Sequence, residues 1–177
     1  MENNARKITT TAMCIAIGVV LPMAIHFIPN GGSIILPMHI PVLICGLICG
    51  WKCGMIVGIL TPTISSLLTG MPVAGYLPVM IVELAVYGVV SGVIIKRVNT
   101  KNKLSNLYLS LIIAMISGRI AMGIMNALIF KIGSYGLGIW VSTAFITALP
   151  GIIIQLLLIP SIVMLLEKVK VISMENV

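Results

Sequence analysis

The chain has 177 residues, of which 59% are hydrophobic and only 8% charged, with a mean hydropathy of +1.20. So much apolar surface cannot be hidden in one core of this size, which excludes a water-soluble globule. The net charge of +7 does not indicate nucleic acid: the cations stand singly and in pairs at the ends of apolar runs, with no basic stripe, and are expected to set topology and to meet anionic lipid headgroups.

A membrane span needs roughly 20 apolar residues, and six runs qualify. The first extends from about Ile8 to Ile28 and ends in a turn at Pro29-Asn30-Gly31-Gly32. Arg6 and Lys7 precede it, but the run is long for a signal peptide and no Ala-x-Ala-like site closes it. It reads as a retained helix. The second run, Ile34 to Gly50, is short; the third covers Cys53 to Thr69 and closes at Gly70-Met71-Pro72. The fourth covers Tyr76 to Ile95, the fifth Leu107 to Phe130 and the sixth Ile139 to Leu166. Short gaps leave no room for an extramembrane domain, so residues 1–177 are expected to form a single all-α integral membrane bundle of six transmembrane helices.

Orientation follows from the gaps. Arg6, Lys7, Lys52, Lys96, Arg97, Lys101, Lys103, Lys168 and Lys170 fall on one side, and only Lys131 falls in a gap on the other. Cytoplasmic loops carry the excess of Lys and Arg. Both termini are therefore expected in the cytoplasm.

Catalytic and metal signatures are missing from the sequence. There is no G-x-x-x-x-G-K-[ST], H-E-x-x-H or G-x-S-x-G. Cys14, Cys45, Cys49 and Cys53 match no zinc or iron–sulfur spacing. Gly50-Trp51-Lys52 assigns Cys53 to a different helix from Cys45 and Cys49, and all four read as small packing residues. Neither an enzyme nor a resident cofactor or metal is expected.

Two ionisable residues lie inside apolar runs, where an unpaired charge is expensive. Glu83 is about seven residues into the fourth helix, or about 10 Å, and Arg119 about twelve residues into the fifth, which runs the opposite way. Both therefore sit at a similar level, in the middle to outer half. Two readings stay open: an ion pair that only fixes helix packing, and a polar pocket reached from outside. Tyr76, Met80, Glu83 and Tyr87 share one helical face, as do Met115, Arg119, Met122 and Asn126. Mixed aromatic, Met and polar faces suit a small-molecule site. His39, at the outer end of the second helix, is a further candidate, with Gln155 and Trp140 weaker ones. Thr61, Thr63, Ser65, Ser66 and Thr69 are expected to bond mainly to their own helix carbonyls. On the first helix, Ala12 and Ala16 form a small-xxx-small pair that permits close helix approach.

Several stretches together resemble the substrate-binding S components of energy-coupling factor (ECF) vitamin transporters. They are Ala12-x-x-x-Ala16, LPMHIPVLICGLICG over Leu36–Gly50, LTPTISSLLTGMP over Leu60–Pro72, Glu-x-x-x-Tyr-Gly over Glu83–Gly88 and Gly-Arg-Ile over Gly118–Ile120. The resemblance covers essentially the whole chain. It implies a multi-pass protein of a prokaryotic plasma membrane that captures a small water-soluble vitamin or precursor from outside. It also implies partners: a membrane scaffold subunit and two cytoplasmic ATPases, with Ala12 and Ala16 facing the scaffold. Arg119 would anchor an anionic or polar group, as on pantothenate. Glu83 would pair with it or accept from the ligand, and Asn126, His39, Tyr76, Tyr87 and Met122 would complete the pocket. The rival reading is a stand-alone secondary transporter coupled through Glu83 and Arg119.

Overall fold

The computed structural model describes residues 2–25, 31–100, 102–129 and 136–169. Within them the backbone is helical almost throughout, without a strand. α1 (Glu2–Ile25) leads to a short α2 (Gly31–Ile35), then α3 (His39–Cys49), α4 (Trp51–Thr69), α5 (Leu77–Arg97) and α6 (Lys103–Ile129). α7 (Leu137–Val141) runs through a π-helical stretch, Ser142–Thr147, toward α8 (Leu149–Lys168). Six segments are long and apolar enough to cross a bilayer: Asn4–Ile25, Gly31–Cys49, Trp51–Thr69, Leu77–Arg97, Lys103–Ile129 and Leu149–Lys168. The chain is thus an all-α, multi-pass membrane protein. Large apolar side chains such as Ile8, Leu67, Leu68, Leu128 and Leu157 face outward, as they do where the surrounding solvent is lipid.

α3 is the centre of the bundle. Its Val42, Leu43, Cys45 and Leu47 are fully buried, and α1, α4, α5 and α8 pack around it. The segment is short and has little polar surface because neighbouring helices cover it on every side. α4 and α5 lie backbone to backbone, with Gly54 facing Gly88 and Gly58 facing the Leu84 carbonyl. Small residues allow such an approach, which van der Waals packing rewards in lipid, where hydrophobicity does not drive helices together.

Two elements differ from the sequence expectation. The second span is not one helix from Ile34 to Gly50; it breaks between Ile35 and His39, with Leu36 at φ 55°. A β-carbon is disfavoured there by about 1–2 kcal/mol, and Leu36 is buried in the break. The sixth run is not one helix from Ile139 to Leu166 either. Pro150, in the first turn of α8, marks the true start of that span. The expected turn at Pro29-Asn30 and the gap around Lys131 lie outside the described residues. Gly31 and Gly32, expected in that turn, begin α2 instead. Cys53 does lie on a different helix from Cys45 and Cys49, and Gly70 closes α4 in a left-handed conformation, φ 71°.

Helices alternate in direction, so the described cations of the gaps gather at one end of the bundle. Arg6 and Lys7 open α1, Lys52 opens α4, Lys96 and Arg97 close α5, Lys103 opens α6 and Lys168 closes α8. Lys103 pairs there with Glu167 across α6 and α8.

Candidate functional site

The opposite end of the bundle holds a cavity of about 840 Å³. It is walled by the end of α1, α2 and the break that follows, the α4–α5 connection, the outer turns of α5 and α6, and the π-helical stretch. Its volume lies in the range of small-molecule pockets.

Three ionisable side chains meet at its floor. α5 presents Glu83, α6 presents Arg119, and α3 presents His39 at its first residue. Arg119 Nη1 donates to Glu83 Oε1 at 3.0 Å. His39 Nε2 lies 3.4 Å from the same oxygen and donates to it in the Nε2–H tautomer. Both members of the ion pair are almost completely buried. The sequence left open whether these two charges meet; the fold brings them together directly.

The trio is supported from below and from the side. Tyr87, one helical turn beyond Glu83, packs its ring edge-on against His39, with centroids 5.1 Å apart and planes at 69°. On α6, Arg119 Nη1 also rests 3.7 Å from the thioether of Met122. Trp140 of α7 donates from Nε1 to the Arg119 carbonyl at 3.0 Å and lies over Gly123, where any β-carbon would meet the indole at 2.5 Å. Gln155 of α8 donates to the Leu36 carbonyl at 3.5 Å and so holds the break before α3.

Some polar atoms at this floor have no partner among the described residues. Arg119 Nε and Nη2 and His39 Nδ1 are buried without a hydrogen bond there. A buried donor left unmade costs about 1–3 kcal/mol, more when charged. Chains do not keep such atoms without a reason.

Of the residues singled out in the sequence, Arg119, Glu83, His39, Tyr76 and Met122 line the cavity. Tyr87 does not line it; it lies in the core beneath His39. Asn126 is buried two turns along α6 from Arg119, away from the lining. Ala12 and Ala16 are exposed on the outer face of α1. Thr63 and Thr69 bond back to their own helix, at Ile59 and Ser65. Ser65 and Ser66 do not; their hydroxyls donate forward to the Met71 and Pro72 carbonyls at 2.8 Å. They fix the connection that walls the cavity. Sequence reasoning missed Thr143 and Thr147, which line it from the π-helical stretch. Their one signal was a Thr pair four apart at the head of the last apolar run. Among the described residues no cluster of His, Cys, Asp or Glu has the makings of a metal site.

The family model described as ECF transporter, substrate-specific component, matches residues 6–163. The chain belongs to that family, whose members are transport subunits. No curated protein and no solved structure matches the chain.

Proposed function

We infer that this chain is the capture subunit of an ATP-driven ECF importer. It takes a small water-soluble vitamin or precursor from outside the cell into the cavity over Glu83, Arg119 and His39. The cation-rich end, with both termini, lies in the cytoplasm, and the membrane is the plasma membrane of a prokaryote. ATP is hydrolysed by two partner ATPases, which reach the chain through a membrane scaffold subunit seated on the Ala12–Ala16 face of α1.

The observation that carries this reading is the position of the cavity. It lies at the end of the bundle opposite the described cations, and guanidinium donors without an acceptor among the described residues lie at its floor. A ion pair kept only for packing would be expected to have its donors satisfied within the protein. Native mass spectrometry of the detergent-purified chain, expressed in rich medium, tests the reading. A small molecule released at near one-to-one is expected. Uptake into liposomes by the chain alone, driven by an ion gradient, would instead establish the secondary-transporter reading.

A further inference from the structure

We propose that the ligand is an uncharged, planar conjugated heterocycle that presents a carbonyl oxygen beside a ring nitrogen, and that the site discriminates against carboxylates and phosphates. The proposal rests on the reading of the cavity as a capture site and narrows it to a chemical class.

Charge balance gives the first argument. Among the described lining residues, Glu83 and Arg119 are the only fixed opposite charges, and they already neutralise each other at 3.0 Å. His39 shares the same carboxylate oxygen at 3.4 Å. An anionic ligand would bring a further charge to a pair already balanced, with Glu83 repelling what Arg119 attracts. A neutral ligand leaves the balance untouched.

Donor geometry gives the second. Nη1 of Arg119 is occupied by Glu83, while Nε and Nη2 have no acceptor among the described residues. Those two nitrogens form the side edge of the guanidinium, with parallel N–H bonds that suit two acceptors side by side. A carbonyl oxygen next to a ring nitrogen supplies that pair without bringing charge. Met122 rests against the same guanidinium, and its flexible thioether is able to swing aside for the ligand.

The walls give the third. Met23, Met38, Met71, Met80 and Met122 line the cavity, with Tyr76 as the only Phe, Tyr or Trp among the described lining residues. Polarizable thioethers make favourable contacts with flat conjugated rings and adapt to their outline. A saturated or branched chain would gain nothing from sulfur in place of Leu or Ile.

The test is equilibrium binding to the purified chain, read by tryptophan fluorescence and native mass spectrometry. One set of probes is uncharged: riboflavin, lumichrome and nicotinamide. The other is anionic: nicotinate, biotin and pantothenate. Nicotinamide and nicotinate share a ring and differ in charge; neither has its carbonyl beside the ring nitrogen, so this pair tests the charge preference alone. The expected result is an uncharged ring bound roughly 100-fold or more tighter than any carboxylate, since a site built around buried donors and balanced charge rejects mismatched ligands strongly. Arg119→Lys keeps the charge but loses the fork, and is expected to weaken that ligand about 10-fold or more. Glu83→Gln makes the site net positive and should shift the preference toward carboxylates. Each variant is checked for monodisperse elution and thermal unfolding, and if one fails to fold, the wild-type selectivity and the other variant decide. A carboxylate, phosphate or saturated ligand that binds tightest to the wild type overturns the proposal but leaves the capture reading standing. No bound molecule, either co-purified or from the probes, overturns both.

Discussion

Replacing Gly88 by Ala should be among the most damaging single-methyl changes in this protein. A β-carbon built there would sit 2.2 Å from the Gly54 carbonyl oxygen and 2.3 Å from its carbon. Non-bonded heavy atoms prefer about 3.5–4.0 Å, so α4 and α5 must part by more than about 1 Å. No flexible side chain is available to yield, because the opposing atoms are backbone. The separation would also loosen Gly58 against Leu84. Overpacking costs typically about 1–3 kcal/mol, and a backbone clash belongs at or above the top of that range. Ala contributes about 0.5–1 kcal/mol of helix propensity in return, which leaves a net loss of about 2 kcal/mol or more. At roughly 2–4 °C per kcal/mol for a chain of this size, thermal unfolding in detergent should fall by about 4–8 °C or more. Glu83 lies on the same helix, so ligand affinity should fall with it. Gly138→Ala is the control, since nothing lies within 4 Å of its β-carbon. A Gly88→Ala midpoint indistinguishable from the parent, measured by intrinsic fluorescence, would refute the close α4–α5 contact.

Other expectations follow from individual contacts. Glu83→Ala strands a buried guanidinium and should cost about 3–5 kcal/mol, whereas the double change Glu83→Leu with Arg119→Met should recover most of it; equal losses in a thermal unfolding series would show that the pair is not coupled. Lys103→Ala removes an exposed partner of Glu167 and should cost less than about 1 kcal/mol, so its unfolding midpoint should stay close to the parent's. Trp140→Phe deletes the indole donor to the Arg119 carbonyl, a loss of about 1 kcal/mol, and should abolish most of any ligand-dependent fluorescence change. Ala12→Trp and Ala16→Trp add bulk on an exposed helix face; ligand binding should persist while co-purification with scaffold and ATPase subunits is lost.

The spans and the common level of Glu83 and Arg119 were legible because they rest on local signals, whereas whether the two charges meet was not. Twenty apolar residues, cations in alternate gaps and a helical rise of 1.5 Å per residue place two charges at one level without knowledge of the fold. The breaks were less legible because their causes are not local. Leu36 takes φ 55° where Gln155, 119 residues further on, donates to its carbonyl and Gly151 lets α8 press against the Ile34 and Ile35 carbonyls. Nothing within the stretch GGSIILPMHI announces that contact, although Pro37 marks the neighbourhood as poor helix. Ser65 and Ser66 were expected to bond within their own helix because that is what isolated helices offer. They turn to Met71 and Pro72 only because the α4–α5 connection folds back over them. Tyr87 shares the helical face of Glu83, as the spacing said, yet a shared face spans more depth than the cavity does.

Two of the places where the backbone departs from the α-helix inside the apolar runs touch the cavity. In hydrocarbon an unpaired backbone group costs several kcal/mol, so irregular backbone survives at membrane depth only where protein or a cavity shields it from lipid. The break at Leu36–Met38 and the π-helical stretch Ser142–Thr147 both meet that condition: Leu36, Pro37 and Met38 line the cavity from one side, Thr143 and Thr147 from the other. Two further devices make each irregularity tolerable. Gln155 takes the Leu36 carbonyl, and the Trp140 indole ties the start of the last helical segment to the α6 backbone at Arg119. The same Arg119 contributes its side chain to the floor. An α6 residue thus anchors both the charge network and the wall opposite α2, so a ligand that draws on its free Nε–Nη2 edge acts on the element that positions α7. Trp140→Phe tests that tie: the affinity of the floor should change less than the rate at which ligand leaves, as read by stopped-flow dilution. An unchanged off-rate would detach the indole from any role in retention.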